Sequence, residues 1–553
     1  MFSSHRKNIL FLLILTTILY LVALGSHGLL DPDEGRYSEI PREMIESGDY
    51  ITPRLNYVAY FEKPVLHYWL TALSFKVMGQ NEFAGRFWPA IMALGGVFVT
   101  YWLANRMNGA RSAFLSAWIL ATSLVYFAIG QINITDMPLS FFMTLSLAGF
   151  WMGHRRDRRF FLLFYAGMAL ATLTKGLIGI VLPAGVTFWW IVLTRKWSVI
   201  KDTLYLPGIA LFFLIGTPWF VLVCLENPDF FNFFFIQEHF LRYTTKMHGR
   251  FEPWWWFIPI LLVGLIPWTG FIPGAVKKAF PSTLSKPTHQ ERGNLFLLLW
   301  FAIIFAFFSL SSSKLIPYII PVIPPLAILA GNFLDGLMDR GKTRELFMGM
   351  LFNTMVLLPF GIALAAYPFL DQRYGTMLLP FVAPVAAVLI FLVILSWIFY
   401  ARGESRKVVL TLCIFAFLNI ATFKNVFGFY DRIMTARDVA ATIREYILPG
   451  DIVAQYREYD QGLPFYLKQR IVLVEWVGEL EFGSKRGDQS DWFLDTQGFL
   501  ERYWKSDERV ILVMREEQPL EFLEETGVTP VILFRSDRKI VVANKEMSSA
   551  DEK

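Results

Sequence analysis

About thirteen apolar runs, most of them near the ~20 helical residues needed to cross a bilayer core of about 30 Å, fill the chain up to residue 430 and then stop. They lie near 8–28, 84–105, 112–128, 137–152, 160–174, 177–194, 204–224, 257–276, 294–310, 315–334, 347–367, 376–400 and 408–427. Backbone polar groups in lipid must pair within their own segment, so such runs read as membrane helices. Charge marks the same boundary, since residues 431–553 hold 41 of the 97 charged residues of this 553-residue chain. The expected architecture is an α-helical polytopic membrane domain over 1–430, with juxtamembrane outer loops at 31–83 and 225–256, followed by a soluble α/β domain over 431–553. Charged residues make up 18% of the whole, where a soluble domain has about a quarter. Cys224 and Cys413 lie inside apolar runs and are too few for a disulfide framework.

The net charge of +5 divides into −7 for residues 431–553 and +12 for residues 1–430. The basic excess therefore belongs to loops that anchor helices, and no nucleic-acid partner is implied. Alternate connections carry 21 Lys and Arg on one side, among them Arg106, Arg155, Arg156, Lys277, Arg292 and Arg406, against 11 on the other. Positively charged loops stay cytoplasmic, which places the N-terminus inside and the long loops outside. An odd number of spans puts residues 431–553 outside as well. The first run lacks a small-residue cleavage site before Asp31 and reads as a retained anchor. In the tail, helical spacing over Thr435–Ile447 and short β-type runs at 471–474, 510–514, 531–534 and 540–542 give the α/β reading. Its expected role is a lid, docking surface or scaffold.

Residues 31–63 hold eight carboxylates against four basic residues, directly beside the membrane. Tyr37, Ile40, Met44 and Ile45 recur at helical spacing, which predicts an interfacial helix lying flat with its acids facing water. Asp31-Pro32-Asp33-Glu34 crowds three acids at the end of the first span, with Arg36 close enough to pair with one of them. A carboxylate there is either a helix cap or a group whose pKa is tuned by partial desolvation for base or electrostatic work. Asp136, Lys175 and Lys314 fall in short turns at membrane depth, where ionisable groups are costly, with capping or snorkelling as the plain alternatives. Glu62 and Lys63 sit among aromatics, and six Phe interleave with His239 and Arg242, which would share a helix face. Cations at the boundary suit a phosphate headgroup, and aromatics suit a lipid tail.

Taken in order, Asp33-Glu34-Gly35-Arg36-Tyr37-Ser38-Glu39-Ile40, Tyr60-Phe61-Glu62-Lys63-Pro64, Thr174-Lys175-Gly176, Glu238-His239 with Arg242, and Lys314-Leu315 with Pro317-Tyr318 resemble the 4-amino-4-deoxy-L-arabinose transferases of the GT-C superfamily. The resemblance implies an inverting transferase that moves this sugar from undecaprenyl phosphate to a lipid A phosphate, outside the bacterial cytoplasmic membrane. It assigns catalysis to Asp33 and Asp136, with Glu34 beside them. Lys63, Arg242 and Tyr318 match positions that hold the lipid phosphate, and Arg36, Tyr37, Tyr60, Lys175 and Lys314 complete the donor-binding set. Glu62 and His239 match positions linked to a divalent metal such as zinc, although the chain itself requires no cofactor. Asp33, Lys63, Asp136 and Arg242 are expected to share one pocket open to the outer leaflet. Two alternatives stay open: a transferase of another polyprenyl-phosphate-linked sugar to a lipid, glycan or protein, and a flippase for lipid-linked sugars.

Overall fold

The computed structural model describes residues 5–241, 252–282 and 287–547, the side chains of 239–241 excepted. The chain divides into two compact units, one of residues 1–24, 62–67 and 86–429, the other of residues 25–61, 68–85 and 430–553.

Helices dominate the first unit. Among the described residues of the chain, seven helices are long and apolar enough to cross a bilayer, and the number reaches nine if each of two bent pairs is one span. That is fewer than the thirteen runs of the sequence, because several apolar runs form helices shorter than a full span, such as His5–Leu21 with 17 residues. Ala110–Ala121 and Leu124–Gly130 meet at 62°. There the Thr122 and Ser123 hydroxyls donate to the carbonyls of Trp118 and Ile119, a local bond that competes with helix continuation. Phe257–Gly264 and Thr269–Ala279 meet at 115° around Pro267, which has no N–H to donate. Phe161–Lys175 and Ile178–Thr194 are distinct helices of only 15 and 17 residues.

Small residues bring two of these helices close. A Cβ on Gly149 would lie 2.6 Å from the Phe164 nitrogen, and one on Gly167 would lie 2.7 Å from the Phe142 carbonyl. Asp136–Arg155 and Phe161–Lys175 therefore pack backbone to backbone, as small residues permit between membrane helices. This juxtaposition sets Asp136, at the start of one, against Lys175, at the end of the other.

The second unit is built on a six-stranded sheet in the order Phe493–Leu494, Val472–Val474, Ile452–Tyr456, Val510–Arg515, Lys539–Ala543, Val531–Arg535. The first four strands run parallel and the last two pair antiparallel. The four expected runs are strands, and the expected helix is Arg437–Tyr446. Ile452–Tyr456 was not anticipated, although it is central, because Gln455 interrupts its apolar character. That amide is buried and satisfied, donating to Asp460 Oδ2 at 2.9 Å and accepting from the Asp460 N–H at 2.9 Å.

The same unit contains the helix Asp33–Ser47, which packs on the short helix Gly462–Leu467. A Cβ on Gly35 would lie 2.3 Å from the Gly462 nitrogen, so only glycine fits that crossing. Asp31 Oδ1 accepts from the Gly462 N–H at 2.6 Å, and the Asn56 amide exchanges two bonds with the Ile471 backbone at 2.9 and 3.0 Å.

Candidate functional site

The Asp33–Ser47 helix begins just after Pro32 and ends at Gly48, whose φ of 72° gives the left-handed cap. Its acids do not face water as predicted. Glu34, Glu39 and Glu43 are buried, and each has a specific partner. Glu34 Oε2 accepts from the Leu30 N–H at 2.9 Å, and Glu43 Oε2 accepts from the Tyr57 N–H at 3.0 Å. Arg42 donates to both Glu39 oxygens at 2.6 Å and to Glu46 at 2.5 Å. Packing against the rest of the unit covers this face, and a desolvated carboxylate persists only when bonded. Burial, and then the neighbouring Glu39, push the Glu43 carboxyl well above its ordinary range. Burial and Asp460 do the same to Asp31.

Asp33 and Glu46 are the exceptions, with 54% and 50% of their side-chain surface exposed, and Asp33 is the one beside the buried Arg36. Arg36 Nη1 donates to Asp33 Oδ1 at 3.1 Å, the pairing expected from their spacing. The guanidinium is itself buried and held from its other edge by Glu479, with Nε–Oε1 at 3.1 Å and Nη2–Oε2 at 2.5 Å. Gln461 donates to Glu479 Oε1 at 2.7 Å, and the rings of Tyr37 and Tyr60 flank Arg36 with centroids at 5.9 Å. Glu479 and Gln461 were missed by sequence reasoning. They lie more than 400 residues from Arg36, and nothing local to them signals the contact. The outcome is an accessible carboxylate with a fixed cation beside it.

In the first unit, Lys175 Nζ lies 2.5 Å from Asp136 Oδ1, and both side chains are nearly buried. The same ammonium stands 4.5 Å from the centroid of the Tyr318 ring. Three sequence candidates thus form one cluster. Lys314 is buried and donates to the carbonyls of Ser311 at 2.6 Å and Glu252 at 2.8 Å, so neither lysine snorkels away. Lys63 Nζ is 3.7 Å from Glu62 Oε2. His67, which sequence reasoning passed over, is fully buried near Asn133, and burial holds its imidazole down at about 4, neutral at physiological pH.

Arg242 and the His239 side chain lie outside the described residues. Among the described residues no three His, Cys, Asp or Glu side chains gather to hold a metal. Glu62 with one imidazole falls short of the three or four protein ligands usual for zinc.

Comparison with known proteins joins both units to one family. Residues 7–274 match the model for dolichyl-phosphate-mannose-protein mannosyltransferase, and residues 439–544 match that for the aminoarabinose transferase C-terminal domain. An undecaprenyl phosphate-alpha-4-amino-4-deoxy-L-arabinose arabinosyl transferase of Pseudomonas fluorescens is 31% identical over 501 residues, 87% of each chain. The enzyme of that name from Proteus mirabilis is 36% identical over a stretch covering 62% of this chain and 61% of its own length. The crystal structure of ArnT from Cupriavidus metallidurans bound to undecaprenyl phosphate superposes with a TM-score of 0.86 at 30% identity, covering 98% of this chain and 99% of that one. An Archaeoglobus fulgidus oligosaccharyltransferase shares the fold, with a TM-score of 0.52 at 12% identity. The chain is a multi-pass membrane protein with the GT-C fold, and it belongs to the undecaprenyl phosphate-4-amino-4-deoxy-L-arabinose arabinosyl transferase family.

Proposed function

We propose that this protein transfers 4-amino-4-deoxy-L-arabinose from undecaprenyl phosphate to a phosphate of lipid A, on the outer side of the cytoplasmic membrane. The observation that carries this reading is the likeness, along nearly the whole chain, to a structure that holds undecaprenyl phosphate. The 21-to-11 asymmetry of Lys and Arg supports the orientation.

In the proposed reaction an anionic oxygen of the acceptor phosphate attacks C1 of the sugar. The bond from C1 to the undecaprenyl phosphate oxygen breaks, and its electron pair leaves with that phosphate. A single displacement inverts the anomeric centre. The acceptor arrives already ionised, so Asp33 need not remove a proton; it orients the sugar amine or stabilises positive charge developing at C1. Arg36 holds Asp33 in place through the bond to its Oδ1. On the donor side, Lys63, Arg242, Lys175, Lys314 and the Tyr318 hydroxyl are assigned to the phosphate, whose leaving needs cationic support. Asp136 orients Lys175. Glu34, Tyr37 and Tyr60 shape the surroundings of Asp33 and Arg36.

The test is incubation of the purified protein with synthetic undecaprenyl phosphate-linked aminoarabinose and lipid A, followed by mass spectrometry of the lipid. A gain of one aminopentose on lipid A is expected. An unmodified lipid A, with the donor intact or merely hydrolysed, would overturn the assignment.

A further inference from the structure

A second constellation lies at the basic ends of the membrane helices, and the transferase reading leaves it unused. A cavity of about 240 Å³ is lined from the helices Glu82–Asn108, Asp136–Arg155 and His289–Leu310 and the residue after the second. Arg106, Arg155, Arg156 and His289 line it with Gln290, and Met107, Trp151, Met152 and Gly293 supply its apolar wall. Among the described residues no carboxylate lines it. Three guanidinium groups around so small a space repel one another, and the arrangement invites an anion. Arg155 registers the crowding: burial, followed by the charges of Arg292 and Arg156, holds it below its ordinary pKa.

The surroundings indicate what kind of anion. Arg158 donates to the carbonyls of Lys201 at 3.0 Å and Asp202 at 3.3 Å, and its guanidinium stands 5.4 Å from the Tyr205 ring centroid. The segment so tethered exposes Trp197, Ile200 and Leu204, at 56%, 42% and 58%. Bare tryptophan and aliphatic side chains beside basic residues mark the depth of lipid headgroups. Basic pockets between membrane helices at that depth hold anionic headgroups.

We propose that this cavity binds the phosphodiester headgroup of an anionic membrane lipid, seated on Arg106, Arg155 and Arg156 with its glycerol against Trp151 and Met107. Inorganic phosphate shares the phosphate chemistry but would make no use of the apolar wall.

The full-length protein would be delipidated, reconstituted in nanodiscs of equal phosphatidylglycerol and phosphatidylcholine, and its retained lipids counted by native mass spectrometry. The wild type is expected to enrich phosphatidylglycerol at least ~tenfold, and Arg106→Gln/Arg155→Gln/Arg156→Gln to bring the ratio close to unity. No enrichment in the wild type, or the same enrichment in the triple variant, would overturn the proposal. So would enrichment erased by excess inorganic phosphate but not by chloride of equal ionic strength, which would assign the cavity to free phosphate. Should the triple variant fail to fold, a photoactivatable phosphatidylglycerol on the wild-type protein decides: crosslinks on peptides containing Trp151 or Gly293 support the site, and their absence there rejects it.

Discussion

The two units treat charge differently. The candidate-site ionisable groups of the membrane unit meet few partners: Lys175 meets Asp136 and the Tyr318 ring, and Lys314 meets two carbonyls. In the other unit charges come as networks, such as Asp33–Arg36–Glu479–Gln461, Glu39–Arg42–Glu46, and Lys539 between Glu458 and Asp460. A group in a low-dielectric setting with one partner has no substitute if that partner goes, whereas a network member retains others. The contrast teaches where substitution should be catastrophic and where it should be graded.

The largest expected effect is on Asp33, the exposed end of a network, whose value lies in chemistry rather than in stability. Asp33→Asn should fold with an unchanged melting temperature yet lose roughly 10²–10⁴-fold in turnover. Wild-type turnover in that protein would remove Asp33 from the mechanism.

Next comes the isolated pair. Lys175→Met strands Asp136 in a nearly buried position and should cost about 3–5 kcal/mol in a detergent unfolding titration, while Lys175→Met with Asp136→Leu recovers most of the loss. Equal losses in the single and double variants would mean the pairing is not what holds these helix ends.

His67 gives a pH signature of similar or slightly smaller size. Its folded-state value of about 4 lies below the ordinary 6.5, so the unfolded chain takes up a proton that the fold refuses. Stability is complete above pH ~6.5 and declines as pH falls toward 4, by up to about 3 kcal/mol, and His67→Gln should flatten that slope. An identical slope in both proteins would contradict the burial assigned to the imidazole.

Removing a network member should be milder. Glu479→Gln leaves Arg36 in contact with Asp33 but loosens its other edge, and about a tenfold fall in kcat with KM within about twofold is expected. Parallel changes in both constants would point to substrate binding instead. The smallest effect is expected from a chelator. With no metal step assigned, EDTA should leave turnover within about twofold, since zinc would need three or four ligands. Loss of activity restored by zinc would bring Glu62 and His239 back into the mechanism.

Much of this was legible in the linear order of residues. The strands Val472–Val474, Val510–Arg515, Val531–Arg535 and Lys539–Ala543 and the Asp33–Arg36 pairing follow from short apolar runs and three-residue spacing, which are local quantities. The central strand Ile452–Tyr456 was hidden by one polar residue whose partners sit in the adjoining turn. Seven to nine helices among the described residues meet the length and apolarity needed for a span, and apolar runs such as Phe161–Lys175 and Ile178–Thr194 form helices shorter than that.

What the sequence by itself determined is the solvent each region must face, since apolar length and charge density answer to the bilayer and to water directly, and also the residue types available for handling phosphate. Only the tertiary structure decided who partners whom. It turned Glu34, Glu39 and Glu43 of the Asp33–Ser47 helix inward onto arginine and backbone donors, left Asp33 and Glu46 exposed, brought Glu479 to Arg36, and joined Asp136 to Lys175 through a glycine-lined helix crossing. Coulomb and hydrogen-bond energies depend on distances of a few ångströms, and such distances between residues far apart in the chain exist only once packing has set them.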